Sequence, residues 1–225
     1  MAADLASITV LIPGQIHERS LRRIAETFKL ETLERIDPSL ITDDLKARVR
    51  GVAASPAIGG GVVDAAFLDA LPNLEIVANF GVGYDGVDAA HAGKTGIMVT
   101  NTPDVLTEEV ADTTIGLLLN TLREFGKAEN YLRAGRWATQ GNYPLTKMSL
   151  RGRRVGIVGM GRIGKAIARR LEAFGVPIEY HNRRPAADVG YPYHDTLTGL
   201  AAGVDTLISV APGGAARLIS MSREG

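Results

Sequence analysis

The stretch VGIVGMGRIGKAIARRLEAFG contains three glycines whose spacing is typical of a turn that holds a phosphate group. They are Gly159, Gly161 and Gly164. An apolar run enters this turn and a helical pattern leaves it, so the turn joins a strand to a helix. The first glycine permits a tight turn, the second lets the backbone approach a pyrophosphate, and the third lets the helix pack on the strand. Arg162 and Ile163 open that helix, whose N–H groups face the phosphate, and belong to the predicted cofactor site. A strand–helix turn without a ligand is the alternative.

The tip of the next strand bears on the choice of cofactor. The chain reads VPIEYHNRRP there, and Asn182, Arg183 and Arg184 stand where the strand ends. Two guanidinium groups at this position can hold a 2′-phosphate, which favours NADP over NAD. Glu179 is the rival, since an acid in this region can bind the ribose hydroxyls of NAD, but it lies inside the strand. The two arginines can also be ordinary solvated charges.

Strand-like and helix-like stretches alternate through the first hundred residues, which is typical of a parallel sheet with crossover helices. The predicted strands are residues 8–13, 31–36, 51–55, 74–80 and 96–101. The predicted helices are residues 17–28, about 39–50, 62–71 and 86–93.

A longer helical pattern then interrupts the alternation of strands and helices. The sequence predicts one helix over about 107–134, with Thr107 as its cap and Gly135 as its stop, followed by a loop from Trp137 to Pro144. Strand–helix alternation restarts at Leu150. We therefore expect two α/β domains, residues 1–101 and 102–225, the second entered by the long helix. Strands of the second domain are expected in the order 3-2-1-4.

Composition narrows the classes of partner. Lys plus Arg and Asp plus Glu are 25 each, so no charge excess points to nucleic acid or to a membrane surface. The chain has no cysteine, which excludes disulfides and thiolate metal sites and suits a cytoplasmic location. No metal site is predicted, no stretch approaches the length of a membrane span, and the first residues do not read as a secretory signal.

Several motifs in a fixed order resemble the D-2-hydroxyacid dehydrogenase family, and most of all its glyoxylate/hydroxypyruvate reductase branch. The resemblance covers residues 1–214. It depends on NFGVGYDGVD (79–88), NTPDVLTEEVADTTIGLLL (101–119), the single Trp137, the glycine-turn region and VDTLISVAPGG (204–214).

This resemblance implies a flavodoxin-like substrate domain followed by an NAD(P)-binding Rossmann domain, both doubly wound. It implies hydride transfer between NAD(P)H and a small 2-keto or 2-hydroxy acid. The backbone N–H groups of Val82 and Gly83 would hold the substrate carboxylate, in keeping with a glycine-rich loop after a strand. Thr107 would lie near the nicotinamide, and relatives commonly form homodimers through the nucleotide domain and its long helix.

The last cofactor contacts implied by the resemblance are Val210, Ala211 and Pro212, which would pack against the adenosine or ribose. The catalytic Arg, Glu and His of relatives follow this motif. After Gly214 the chain reads AARLISMSREG, so no catalytic residue is assigned, and those three groups would lie beyond Gly225. We expect an incomplete, C-terminally truncated nucleotide domain.

The four histidines do not match the family's catalytic position. We interpret His17, His91, His181 and His194 as solvated or capping residues, with His194 in a loop. The leading function is an NADPH-dependent reductase. An NAD(P)-binding regulatory module and an inactive truncated fragment are the alternatives.

Overall fold

The computed structural model describes residues 4–211, and in it the chain divides between Val105 and Leu106 into two units. The predicted boundary after residue 101 lies four residues earlier. No helix within residues 4–211 is long and apolar enough to cross a membrane.

The first unit is built on a parallel sheet in the order β2-β1-β3-β4-β5, which is the flavodoxin-like order. Its strands are β1 (Thr9–Pro13), β2 (Lys29–Leu33), β3 (Val49–Ala54), β4 (Ile76–Asn79) and β5 (Met98–Thr100). Its helices are α1 (Glu18–Thr27), α2 (Asp43–Arg48), α3 (Pro56–Gly59), α4 (Ala65–Asp69) and α5 (Ala89–Lys94), with 3₁₀ turns at Leu5–Ser7 and Pro38–Leu40. Central strands are buried on both faces, with Leu11, Val52 and Val77 at 1% exposure or less.

Several predicted elements in this unit end elsewhere than expected, and two of them illustrate why. The strand expected at 31–36 is β2, two residues earlier at its start and three at its end, with Ile36 buried outside it. The helix expected at 39–50 is α2, which begins only at Asp43. Thr42 accepts a hydrogen bond from the Leu45 N–H at 3.3 Å and so caps this helix.

The second unit contains the predicted four-stranded parallel sheet in the order β8-β7-β6-β9, which corresponds to 3-2-1-4. Its strands are β6 (Val155–Val158), β7 (Ile178–His181), β8 (Tyr193–His194) and β9 (Thr206–Ser209). Its helices are α6 (Thr107–Arg123), α7 (Phe125–Arg133), α8 (Arg136–Gln140), α9 (Arg162–Glu172) and α10 (Leu197–Gly203). The two sheets confirm the predicted pair of doubly wound α/β folds.

The single long helix predicted over 107–134 is wrong. It is interrupted at Glu124, whose φ of 52° and ψ of 38° lie in the left-handed region. The Glu124 carboxylate accepts hydrogen bonds from Lys127 Nζ at 2.8 Å and from Tyr143 Oη at 2.9 Å, and these contacts hold the break. Gly135, at a φ of 68°, is the expected stop, but α8 occupies part of the predicted loop.

Candidate functional site

The glycine turn follows β6 and contains two positions at which only glycine fits. Gly159 has a φ of +104°, and a Cβ there would lie 2.8 Å from the backbone nitrogen of Ala211. A Cβ on Gly164 would lie 2.2 Å from the carbonyl oxygen of Gly159, so the start of α9 contacts the turn directly. Beside Gly161 there is open space for 4 Å, as the approach of a phosphate requires.

The helix α9 begins at Arg162 with Gly161 as its N-cap, and no side chain caps it. Ile163 lies in its first turn and packs against the core of the second unit. The uncapped N-terminus adjoins the open space at Gly161, which gives a phosphate both room and N–H groups. These features fit the pyrophosphate of a dinucleotide.

The predicted contacts for the rest of the cofactor converge on this turn. Asn182 Oδ1 accepts a hydrogen bond from the Met160 N–H at 2.7 Å, which ties the tip of β7 to the glycine turn. Val210 N donates to the Val158 carbonyl at 2.9 Å, and Ala211 abuts Gly159. Pro212 lies outside the described residues.

Arg183 and Arg184 follow Asn182 directly, and both are exposed. Within residues 4–211, neither guanidinium forms a hydrogen bond or an ion pair. Two adjacent unpaired cations beside a pyrophosphate cradle suit an additional phosphate.

Glu179, the rival candidate, has a different environment. Its side chain is buried, at 6% exposure, and accepts hydrogen bonds from Arg154 Nε at 3.0 Å and from His194 Nε2 at 2.6 Å. Burial alone would raise the pKa of Glu179, but these donors outweigh it and lower the pKa below its ordinary value. A carboxylate held in this way is not presented to a ribose.

The histidines all make local contacts. His17 caps α1 by accepting from the Arg19 N–H at 3.2 Å, as predicted, and His91 Nε2 lies 2.7 Å from Asp69. His181 Nδ1 lies 2.8 Å from the His194 carbonyl oxygen. His194 lies in β8 rather than in the predicted loop, and its partly exposed ring is bonded to the buried Glu179 carboxylate.

The loop expected to bind a carboxylate follows β4. Asn101 Nδ2 donates to the Val82 carbonyl at 2.8 Å, and Asn79 Nδ2 donates to the Gly83 carbonyl at 3.0 Å. Among the described residues, the N–H groups of Val82 and Gly83 have no acceptor. These N–H groups can therefore bind an anion.

Thr107 is the first residue of α6 and does not cap it, because the N-cap is Leu106 and makes no side-chain bond. The predicted capping role is therefore wrong. The next residue, Glu108, accepts from Arg169 at 2.9 Å and from Arg170 at 2.8 Å. The first turn of α6 thus lies beside the last turn of α9, at the end away from the glycine turn.

Sequence reasoning missed Asn79, Asn101 and Arg154. The first two stand where β4 ends and just after β5, which is a weak signal because polar residues are common at strand ends. Arg154 precedes β6 in a run of arginines, and only the fold shows which acid it contacts.

A parallel sheet in this order, with a glycine turn after its first strand, is the fold typical of dinucleotide-binding α/β proteins. The chain belongs to the D-isomer specific 2-hydroxyacid dehydrogenase family, whose catalytic-domain profile matches residues 10–217. This confirms the family resemblance found in the sequence.

Three relatives illustrate the match. Glyoxylate/hydroxypyruvate reductase A HPR2 of Arabidopsis thaliana is 44% identical over 176 residues, which are 78% of this chain and 55% of that protein. Hydroxyphenylpyruvate reductase of Plectranthus scutellarioides is 42% identical over 170 residues, 76% of this chain and 54% of that protein. Among solved structures, the chain resembles an NADPH-dependent glyoxylate/hydroxypyruvate reductase from Sinorhizobium meliloti, crystallised in complex with NADP and malonate. The two sequences are 56% identical and the TM-score is 0.88, over 94% of this chain and 65% of that chain.

The chain therefore spans about half the length of these curated relatives and about two thirds of the solved structure.

Proposed function

We propose that this chain binds NADPH and a small 2-keto acid, glyoxylate or hydroxypyruvate, as part of a reductase. The observation that supports this proposal most strongly is the glycine turn at Gly159–Gly164, with the unpaired Arg183 and Arg184 at the neighbouring strand tip. The NADP-bound relative from Sinorhizobium meliloti supports the cofactor class. When bound, NADPH would supply the hydride that reduces the carbonyl carbon of the acid.

The preference for NADP over NAD follows from charge. The 2′-phosphate would be held by Arg183 and Arg184, with the Asn182 side-chain NH₂ beside them. The one acid of this strand, Glu179, already accepts from Arg154 and His194, so it is not available to the ribose hydroxyls of NAD. Backbone groups at Arg162 and Ile163 would hold the pyrophosphate, and Val210, Ala211 and Pro212 would pack against the adenosine or ribose.

The substrate carboxylate would be held by the N–H groups of Val82 and Gly83, and Thr107 would lie near the nicotinamide. The first unit would serve as the substrate domain and the second as the nucleotide domain. We assign no proton donor within residues 4–211, because each of the four histidines is engaged in a local contact.

We also propose a homodimer that forms through the helices α6 to α8. Large apolar side chains of these helices are exposed to water: Leu117 at 60%, Phe125 at 55%, Leu132 at 53% and Trp137 at 56%. Exposed apolar side chains in one region are typical of an interface. The absence of cysteine supports a cytoplasmic location.

Binding tests this proposal directly. The purified chain is titrated with NADPH while cofactor fluorescence is followed, and the complex is then titrated with glyoxylate or hydroxypyruvate. We expect saturable binding of NADPH and a further change on addition of either acid. Failure to bind NADPH and NADH would refute the proposed function. Binding of cofactor without any response to the acids would favour a nucleotide-binding module.

A further inference from the structure

Two asparagine side chains hold three successive carbonyl groups of the loop after β4. Asn79 Nδ2 donates to the carbonyls of Gly81 at 3.4 Å and of Gly83 at 3.0 Å. Asn101 Nδ2 donates to the carbonyl between them, that of Val82, at 2.8 Å. Asn79 is itself only 4% exposed, so its position is fixed by packing.

These contacts, together with the Thr102 N–H that donates to the Gly81 carbonyl at 3.0 Å, determine where the loop's N–H groups point. A trans peptide is planar, and its C=O and its N–H point in opposite directions. Residues 4–211 contain no cis peptide bond, so each carbonyl held by an asparagine turns the next N–H away from that asparagine. The N–H groups concerned are those of Val82, Gly83 and Tyr84. Among the described residues, none of the three has an acceptor.

We propose that Asn79 and Asn101 are positioning residues for carboxylate binding. They orient three N–H groups before the ligand arrives, so binding requires no reorganisation of the loop. Tyr84 N–H is thereby added to the donors of Val82 and Gly83. This inference rests on the proposed function, in which the loop binds the carboxylate of a 2-keto acid.

The test compares three leucine substitutions in the full chain. Asn79→Leu and Asn101→Leu remove the amide donors while keeping charge and approximate size. A cavity of about 180 Å³ borders both side chains and gives the leucines room. Asn73→Leu is the matched control, because Asn73 Nδ2 donates to the carbonyls of Lys46 at 3.3 Å and Ala47 at 3.0 Å, away from the loop. Thermal unfolding first establishes that each variant is folded.

Sodium malonate serves as the probe, and amide ¹H–¹⁵N shifts report its binding. In the unmodified chain and in Asn73→Leu we expect saturable shifts of Val82, Gly83 and Tyr84. In Asn79→Leu and Asn101→Leu we expect affinity to fall about tenfold, as loss of charge-assisted hydrogen bonds implies. Equal affinity in all four proteins would overturn the positioning role.

A second measurement separates this inference from the proposed function. Residual dipolar couplings give the orientations of the Val82, Gly83 and Tyr84 N–H bonds in the ligand-free chain. We expect both loop variants to change them and Asn73→Leu to leave them unchanged. Unchanged couplings in the loop variants would overturn the inference. Absence of malonate shifts in the unmodified chain would refute the proposed carboxylate site instead.

Discussion

Oε2 of Glu179 lies 2.6 Å from Nε2 of His194, beneath the strand tip that carries Arg183 and Arg184. The other carboxylate oxygen accepts from Arg154 at 3.0 Å. Both carboxylate oxygens of this buried acid therefore have donors inside the second unit. This relationship supports the proposal that Arg183 and Arg184, and not Glu179, select the cofactor.

Substitution of Glu179 by Gln is expected to lower stability without changing cofactor affinity. The change leaves Arg154 without its carboxylate partner, and we expect the free energy of unfolding to fall by about 1–3 kcal/mol. Urea denaturation measures this loss, and NADPH titration measures affinity. Glu75→Gln is the control, since Glu75 pairs with Arg50 at the surface and such pairs contribute little. A marked loss of NADPH affinity in Glu179→Gln would contradict the structural role.

The pH dependence of stability also tests the structural role of Glu179. Burial would raise the pKa of Glu179, but hydrogen bonds from Arg154 and His194 outweigh it and hold that pKa below its ordinary value in the folded chain. A lowered folded pKa stabilises the protein above the unfolded pKa, and this stabilisation is lost as pH falls through the folded value. The stability difference between the unmodified chain and Glu179→Gln should therefore be full near neutral pH and shrink as the pH falls from the ordinary pKa of a glutamate through the lower folded value. A constant difference from pH 7 to acid would contradict this assignment.

The close contact between Gly164 and the glycine turn can be tested by comparing alanine substitutions at Gly164 and at a glycine that has open space around it. An added Cβ would lie 2.2 Å from the Gly159 carbonyl oxygen, so Gly164→Ala should lower the free energy of unfolding by about 2–4 kcal/mol and weaken NADPH binding. Gly116→Ala, in α6, meets nothing within 4 Å and should stabilise by about 0.5–1 kcal/mol. Equal behaviour of the two variants would show that the turn is looser than described.

The exposed apolar side chains of α7 offer a test of the proposed dimer. Sedimentation equilibrium is expected to give a dimer mass for the unmodified chain. Phe125→Asp and Leu132→Asp should shift it towards the monomer, because each places a charge in an apolar interface. Val62→Asp, at an equally exposed apolar residue of the first unit, should leave the mass unchanged. A monomer in the unmodified chain would reject the dimer.

Much of the fold could be predicted because buried parallel strands are continuous apolar runs. The strands β1 and β6 are of this kind, and the glycine spacing located the turn between β6 and α9. The limits of β2 could not be predicted as well, since its residues are only partly buried and the apolar signal is weak. The break at Glu124 could not be predicted from the local sequence, because Tyr143, which helps to hold it, is 19 residues away.

Some residues of the candidate site could likewise be predicted from the sequence, and others could not. Gly159, Gly161 and Gly164 could be predicted because their role depends on local backbone geometry. The roles of Asn79 and Asn101 could not, since each depends on a contact between a side chain and a backbone carbonyl of a loop that only the fold orients. Similarly, a strand buried on both faces gives no sign of which way Glu179 points.

The central claim is that Arg183 and Arg184 make this chain an NADPH-binding protein, and titration of one preparation with NADPH and NADH tests it most directly. We expect NADPH to bind at least about tenfold more tightly. The double substitution Arg183→Ser and Arg184→Ser should abolish that difference by weakening NADPH alone. Arg151→Ser, at an exposed arginine before β6, should preserve it. Equal affinity for the two cofactors, or a difference that survives the double substitution, would contradict the account.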